Sequence, residues 1–238
     1  RPKSSAASDV YKRQAEANAE IWIVGGAIRD YFINSEIKDI DFAIDIDINN
    51  FYQKIKERKI KIITKDINYK TISLILGKKT YQVTSLRNDK VSFGRQAKVE
   101  FTSKIHIDAN RRDFSINAIY LNSSGEIFDP FNGLKDIKNK KLRFIGNPTT
   151  KIKEDYLRII RFCRFYSIFP EKPISQLLQK QIKKQLNNIS FLSNKRMKDE
   201  FTKILDNSDF DVSLSIIKKL TLDRFISVSY THLTLPTT

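Results

Sequence analysis

The stretch that most constrains this chain is Ile21-Trp-Ile-Val-Gly-Gly-Ala-Ile-Arg-Asp30, followed by Lys38-Asp-Ile-Asp-Phe-Ala-Ile44. The apolar run from Ile21 to Val24 has the length and composition of a buried strand. Gly25 and Gly26 remove side chains where the chain turns into a helix, and a helix N-terminus offers free N–H groups that can hold a phosphate. A second strand then carries Asp39 and Asp41, two apart, which the strand period of two places on one face. Mg²⁺ is usually bound by one or two carboxylates together with substrate phosphates. A phosphate cradle and a metal seat would then lie side by side. Taken singly, each feature has a plainer reading: Gly-Gly is also an ordinary tight turn, and Asp-x-Asp is also a solvated strand edge.

Along the chain, 47–59 places Ile48, Phe51, Tyr52 and Ile55 at helical spacing. The runs 60–63, 71–76 and 81–86 are β-rich, with Gly77-Lys78-Lys79 as a hairpin turn between the last two. Residues 85–99 are polar and read as a loop. Arg111-Arg-Asp-Phe-Ser-Ile-Asn-Ala118 is expected to begin a short helix with Phe114 and Ala118 turned inward. Arg111 and Arg112 beside Asp113 suit a triphosphate, because guanidinium binds phosphate through two N–H groups; a surface ion-pair cluster has the same composition. Pro148 opens a long helix, with Thr149 and Thr150 as candidate caps. In it Asp155, Arg158, Arg161 and Arg164 step by three to form one polar stripe opposite Leu157, Ile160 and Cys163. Helices are expected over 174–186, 193–205 and 210–222. Lys180, Lys183 and Lys184 suit phosphate contacts or a solvated face.

The chain has 238 residues, enough for one domain and part of another. A formal charge of +16 favours a polyanionic partner, although Lys-, Ile- and Asn-rich usage from an AT-rich coding sequence would give a similar count. The single cysteine, Cys163, excludes an intramolecular disulfide and a cysteine metal cluster. No apolar run approaches the ~18 residues of a membrane span, and no secretory pattern is present, so a cytoplasmic location is expected. Residues 1–14 and 228–238 share no periodicity with their neighbours and read as non-native extensions similar to translated adaptor sequence.

Together the motifs resemble the DNA polymerase beta-like nucleotidyltransferase superfamily. In particular they resemble its class II branch, the CCA-adding tRNA nucleotidyltransferases and bacterial poly(A) polymerases, over roughly residues 21–205. The resemblance implies an α+β fold: a nucleotidyltransferase head with a mixed sheet and flanking helices (15–147), then an all-helical neck and truncated body that binds RNA (148–227). It implies that Asp39 and Asp41 are catalytic and hold two Mg²⁺ ions. It places Gly25, Gly26, Arg29 and Arg112 at the triphosphate. Asp155 and Arg158 would read the base of CTP or ATP, with Arg161 and Arg164 also on the nucleotide. Arg111, Asp113, Asn117 and Glu154 would support them. Asp only accepts hydrogen bonds and Arg only donates, so the pair complements an edge with an amino group and ring acceptors, as C and A present.

The chain departs from the family at Gln82, where a third carboxylate is common; an amide cannot accept a proton at neutral pH. It also has Lys195-Arg-Met where Glu-Arg-Ile is usual. The implied activity is template-independent addition of C and A to the 3′ end of tRNA, releasing pyrophosphate. The implied partners are tRNA and nucleoside triphosphates, with no membrane and no DNA. Poly(A) addition and C-only or A-only addition are the alternatives within the family. A non-catalytic RNA-binding module is the alternative outside it; that would be marked by loss of the aspartate pair or of Arg-Arg-Asp, and both are present.

Overall fold

The computed structural model describes residues 19–58, 60–90, 98–169, 173–206 and 209–224, so the expected extensions lie outside the described residues. The chain is α+β and divides into two compact units, residues 1–137 and 138–238. The break expected at Pro148 therefore falls inside the second unit. Phe144 stacks on Phe162 with 5.7 Å between ring centroids and Ile145 is buried, so the segment before Pro148 packs with the helices that follow it.

The first unit runs β1 (Ile21–Val24), α1 (Gly26–Phe32), β2 (Asp41–Ile44), α2 (Ile48–Ile55), β3 (Lys61–Ile63), β4 (Thr71–Leu76), β5 (Lys79–Ser85), β6 (Arg87–Lys90), β7 (Lys98–Phe101), α3 (Ile105–Asn110), β8 (Tyr120–Asn122), β9 (Ile127–Phe128) and α4 (Gly133–Lys138). Seven strands form one mixed sheet in the order β3-β4-β5-β2-β1-β8-β9. β1 lies between β2 and β8, and all four of its residues are buried. A strand covered on both faces has no polar side to show, hence the unbroken apolar run. α2 buries Ile48, Phe51 and Ile55, each worth about 1.5–3 kcal/mol on full burial, and Asp47 caps it by accepting from the Asn49 amide at 2.9 Å. Gly77 takes φ 62 at the β4–β5 turn, where a two-residue hairpin favours glycine.

The sequence reading is corrected at several places. Asp39 precedes β2 in irregular chain, and only Asp41 is on the strand. Part of the expected 85–99 loop is paired: β6 and β7 form a two-stranded antiparallel ribbon, with 91–97 outside the described residues. β6, Arg87-Asn-Asp-Lys90, is wholly polar, so no apolar alternation marks it, although Lys98-Val-Glu-Phe101 in β7 does alternate. Arg-Arg-Asp ends a helix where a helix was expected to begin: Arg111 is the C-cap of α3, and a 3₁₀ turn, Ser115–Asn117, follows. Phe114 and Ala118 are fully buried, as expected.

The second unit holds α5 (Pro148–Glu154), α6 (Leu157–Tyr166), α7 (Gln176–Lys183), α8 (Asn194–Leu205) and α9 (Phe210–Leu220). The single long helix expected from Pro148 is broken at Asp155, which is extended (φ −157, ψ 109) and accepts from the Leu157 amide at 3.1 Å. An aspartate that caps the next helix competes with continuing the last one. The α5 cap is Asn147, which accepts from the amides of both expected caps, Thr149 and Thr150. Among the described residues no helix is long and apolar enough to cross a membrane.

Candidate functional site

In the first unit the site is built round the turn between β1 and α1. Gly25 has φ 77 and ψ −119, a conformation L side chains rarely adopt. A Cβ there would sit 3.4 Å from Arg112 Nη1 and 3.4 Å from the Asn117 carbonyl oxygen. At Gly26 a Cβ would meet only ordinary contacts, the nearest being Arg29 Nη2 at 3.5 Å. Arg29 is buried; its Nη1 donates to Asn117 Oδ1 at 2.6 Å and its Nε to Asp30 Oδ1 at 2.8 Å. Arg112 Nη1 donates to the Asn117 carbonyl at 3.3 Å. Asn117 thus holds both arginines, and Asp113 fixes it by accepting from its Nδ2 at 3.1 Å. The 3₁₀ turn that carries Asn117 is buttressed by α4: a Cβ at Gly133 would be 2.3 Å from the Ser115 carbonyl oxygen, and Ser115 Oγ donates to Asp136.

Asp41 adds a carboxylate beside this cluster. It stands exposed at the start of β2, with protein crowding its other sides. This partial desolvation raises its pKa; Arg112 pulls the other way and Asp39 adds repulsion. Neither the Asp39 nor the Asp41 carboxylate has a hydrogen bond or ion pair among the described residues, whereas other carboxylates nearby do. No group of three His, Cys, Asp or Glu side chains placed to hold a metal occurs among the described residues. The donor set is therefore two unpaired carboxylates, with Gln82 the register partner of Asp41 in the parallel β2–β5 pair. Two carboxylates that repel each other and form no ion pair with a protein cation among the described residues fit a hard divalent cation that takes its remaining ligands from phosphate and water.

Arg111, in the first unit, pairs with Asp108 at 2.8 Å; the other expected residues lie in the second unit, and all are engaged. Asp155 accepts from Arg196 Nη2 at 2.8 Å. Arg158 donates to the Lys151 carbonyl at 2.7 Å and to Glu154. Arg164 Nε donates to Glu200 at 2.9 Å, and Arg161 pairs with the same carboxylate at 3.5 Å. Burial alone would raise the Glu200 pKa, but Arg164, Arg161 and Lys203 lower it on balance.

Four residues in these networks escape sequence reasoning: Asp108, Tyr120, Arg196 and Glu200. Two left a readable signal. Asp108 stands three and four residues before Arg111 and Arg112, the spacing of helical ion pairs. Glu200 interrupts the buried stripe of Met197, Phe201 and Ile204.

A mixed sheet with a diglycine turn, two arginines and two open carboxylates at one strand end defines a nucleotidyltransferase-type head. Residues 21–143 match the family described as Poly A polymerase head domain, and the chain belongs to that family. Among its relatives is the human mitochondrial CCA tRNA nucleotidyltransferase 1, 35% identical over 214 residues, covering 89% of this chain and 49% of the relative. A CCA-adding enzyme of Lactobacillus delbrueckii subsp. bulgaricus is 32% identical over 209 residues, covering 85% of this chain and 50% of the relative. Among solved structures, the Bacillus stearothermophilus CCA-adding enzyme in complex with CTP superposes with a TM-score of 0.79 at 26% identity, covering 91% of this chain and 52% of that one. The chain spans about half the length of the curated relatives it matches.

Proposed function

We propose that this chain carries the catalytic head and part of the helical region of a template-independent nucleotidyltransferase that adds C and A to the 3′ end of tRNA. The observation that carries the reading is the open carboxylate pair, Asp39 and Asp41, beside a turn where Arg29 and Arg112 are held in place. The CCA-adding activity named for its relatives supports the choice within the family.

In this reading the 3′-hydroxyl of the RNA attacks the α-phosphorus of CTP or ATP in line, and the bond to pyrophosphate breaks. Gly25 and Gly26 leave the N-terminus of α1 open to phosphate oxygens. Arg29 and Arg112 neutralise the triphosphate from both sides of Asn117. Their guanidiniums are already ordered, so charge stabilisation needs little reorganisation. Asp39 and Asp41 would hold Mg²⁺, two ions in the family pattern, and the metal would supply charge that lowers the pKa of the attacking hydroxyl and stabilises the leaving pyrophosphate. Asp155 and Arg158 would read the base, an acceptor and a donor suited to the edges of C and A. Arg161 and Arg164 would complete the nucleotide contacts, and Glu154 and Arg111 support them. The helical region from residue 138 onward would grip the RNA, with Lys180, Lys183 and Lys184 on phosphates. The bacterial relative supports a cytoplasmic setting.

The test is incorporation of labelled CTP and ATP into a tRNA transcript that ends before its CCA. Addition of two C and one A is expected. Asp39→Ala and Asp41→Ala should each abolish it while leaving the circular dichroism spectrum unchanged. A long run of A would move the assignment to poly(A) addition, and C alone or A alone to a split-specificity enzyme. Failure of the wild-type chain to bind either nucleotide would overturn the site.

A further inference from the structure

A heavily used carboxylate in the first unit is one that no motif points to. Asp108, on α3, is 1% exposed. Its Oδ1 accepts from Arg111 Nε at 2.9 Å and from the Arg87 backbone amide at 3.1 Å. Its Oδ2 accepts from Arg112 Nη2 at 3.0 Å, from Arg112 Nε at 3.3 Å and from the Tyr120 hydroxyl at 2.6 Å. Burial would raise its pKa, but Arg112 and Arg111 outweigh burial and hold it at about 2. The Tyr120 hydroxyl also accepts from Arg112 Nε at 3.0 Å.

The consequence for Arg112 is directional. Its Nε–Nη2 edge is taken by Asp108 and Tyr120, and the opposite corner, Nη1, faces the Gly25 turn. An arginine left to itself samples many rotamers, and binding a phosphate would have to order it. Here Asp108 and Tyr120 already fix the guanidinium. The same carboxylate reaches the first residue of β6, and Arg111 also faces Asp89 of that strand at 3.6 Å.

We infer that Asp108 is a positioning residue: it presents Arg112 Nη1 to the triphosphate at the diglycine turn and ties that presentation to the root of the β6–β7 ribbon. This rests on the nucleotide reading above. Asp108→Asn keeps the shape but turns one acceptor into a donor that faces donors. Tyr120→Phe removes one brace and keeps the carboxylate.

The experiment measures Mg²⁺·CTP and Mg²⁺·ATP affinity by calorimetry, together with KM and kcat for incorporation, well below each variant's melting temperature. Asp108→Asn is expected to raise the nucleotide Kd and KM at least 10-fold with a smaller change in kcat, and Tyr120→Phe to raise them 2- to 5-fold. In an Arg112→Ala background, Asp108→Asn should add almost nothing, because its effect runs through that arginine. Unchanged nucleotide affinity in folded Asp108→Asn, or full additivity with Arg112→Ala, overturns the inference while the nucleotide reading stands. If Asp108→Asn does not fold, unchanged affinity in Tyr120→Phe overturns it. A wild-type chain that binds neither nucleotide overturns both.

Discussion

The two glycines of the turn make a prediction that separates backbone need from ligand need. Gly25 has φ 77 and ψ −119, where an L residue is strained whatever the space. Holding alanine there costs about 1–3 kcal/mol, so Gly25→Ala should lower Tm by roughly 2–12 °C. Gly26 opens α1, and its added Cβ would have no neighbour closer than 3.5 Å. Glycine-to-alanine at a compatible position gains about 0.4–1 kcal/mol through the unfolded chain, so Gly26→Ala should hold or raise Tm by a few degrees. Yet the methyl would stand where phosphate oxygens approach the helix N-terminus. Losing one charge-assisted hydrogen bond there, about 1.5–3 kcal/mol, weakens nucleotide binding roughly 10- to 100-fold. The assay is thermal unfolding of both variants beside calorimetric titration with Mg²⁺·CTP. A Gly26→Ala protein at least as stable as wild type that binds CTP with unchanged affinity would refute a phosphate cradle at this turn. A Gly26→Ala protein less stable than wild type would refute the conformational argument.

Acid stability should report on Asp108. Its pKa is held at about 2 in the fold against roughly 3.9 in the unfolded chain. A lowered carboxylate pKa stabilises above the unfolded value, and the contribution is lost as pH falls through the folded one. About 2 kcal/mol should therefore disappear between about pH 4 and pH 2, and urea unfolding of Asp108→Asn should lack that component. Glu200→Gln should destabilise by about 2 kcal/mol in the same assay. This is less than the 3–5 typical for breaking a fully buried pair, because side chains of Arg161 and Lys203 remain 28% and 55% exposed. Unchanged unfolding would show that Glu200 does not neutralise the α6 arginines.

What was legible in the sequence followed from periods and from residues with few uses. The apolar run of β1, the helical spacing of Ile48, Phe51 and Ile55, and the Gly77 turn each have one economical reading, and the structure adopts it. Gly25, Gly26, Arg29, Arg112 and Asn117 were readable as a set because their types and order are specific, and the fold gathers them. The misses lie where a local choice competes with a period. A step of three from Asp155 to Arg164 fits one helix equally well, until Asp155 uses its carboxylate to start a new one. The β6–β7 ribbon pairs a wholly polar strand, Arg87-Asn-Asp-Lys90, with an alternating one, Lys98-Val-Glu-Phe101, and the polar strand gives no apolar period to read. Asp108, Tyr120 and Glu200 act by accepting from arginines already found; spacing hints at Asp108 and Glu200, but which arginine each one holds is a fact of tertiary structure.

The contrast between Asp108 and Asp41 shows how one unit assigns its carboxylates. Both are desolvated, which by itself raises a carboxyl pKa. Asp108 is given two arginines, a tyrosine and an amide, and its charge is stabilised more than burial costs. Asp41 is given a repelling neighbour, Asp39, and only the field of Arg112 at a distance, and its pKa stays raised. Arg112 is the cation whose field reaches Asp41, yet the two form no ion pair among the described residues. Its Nε–Nη2 edge is committed to Asp108 and Tyr120 instead. The fold thus satisfies the carboxylate that orients the arginine and leaves unsatisfied the one that would hold a cation. In the proposed reading, an arginine clamped by Asp108 would receive phosphate without first breaking an ion pair with Asp41, and the aspartate pair would take Mg²⁺ without displacing a protein cation.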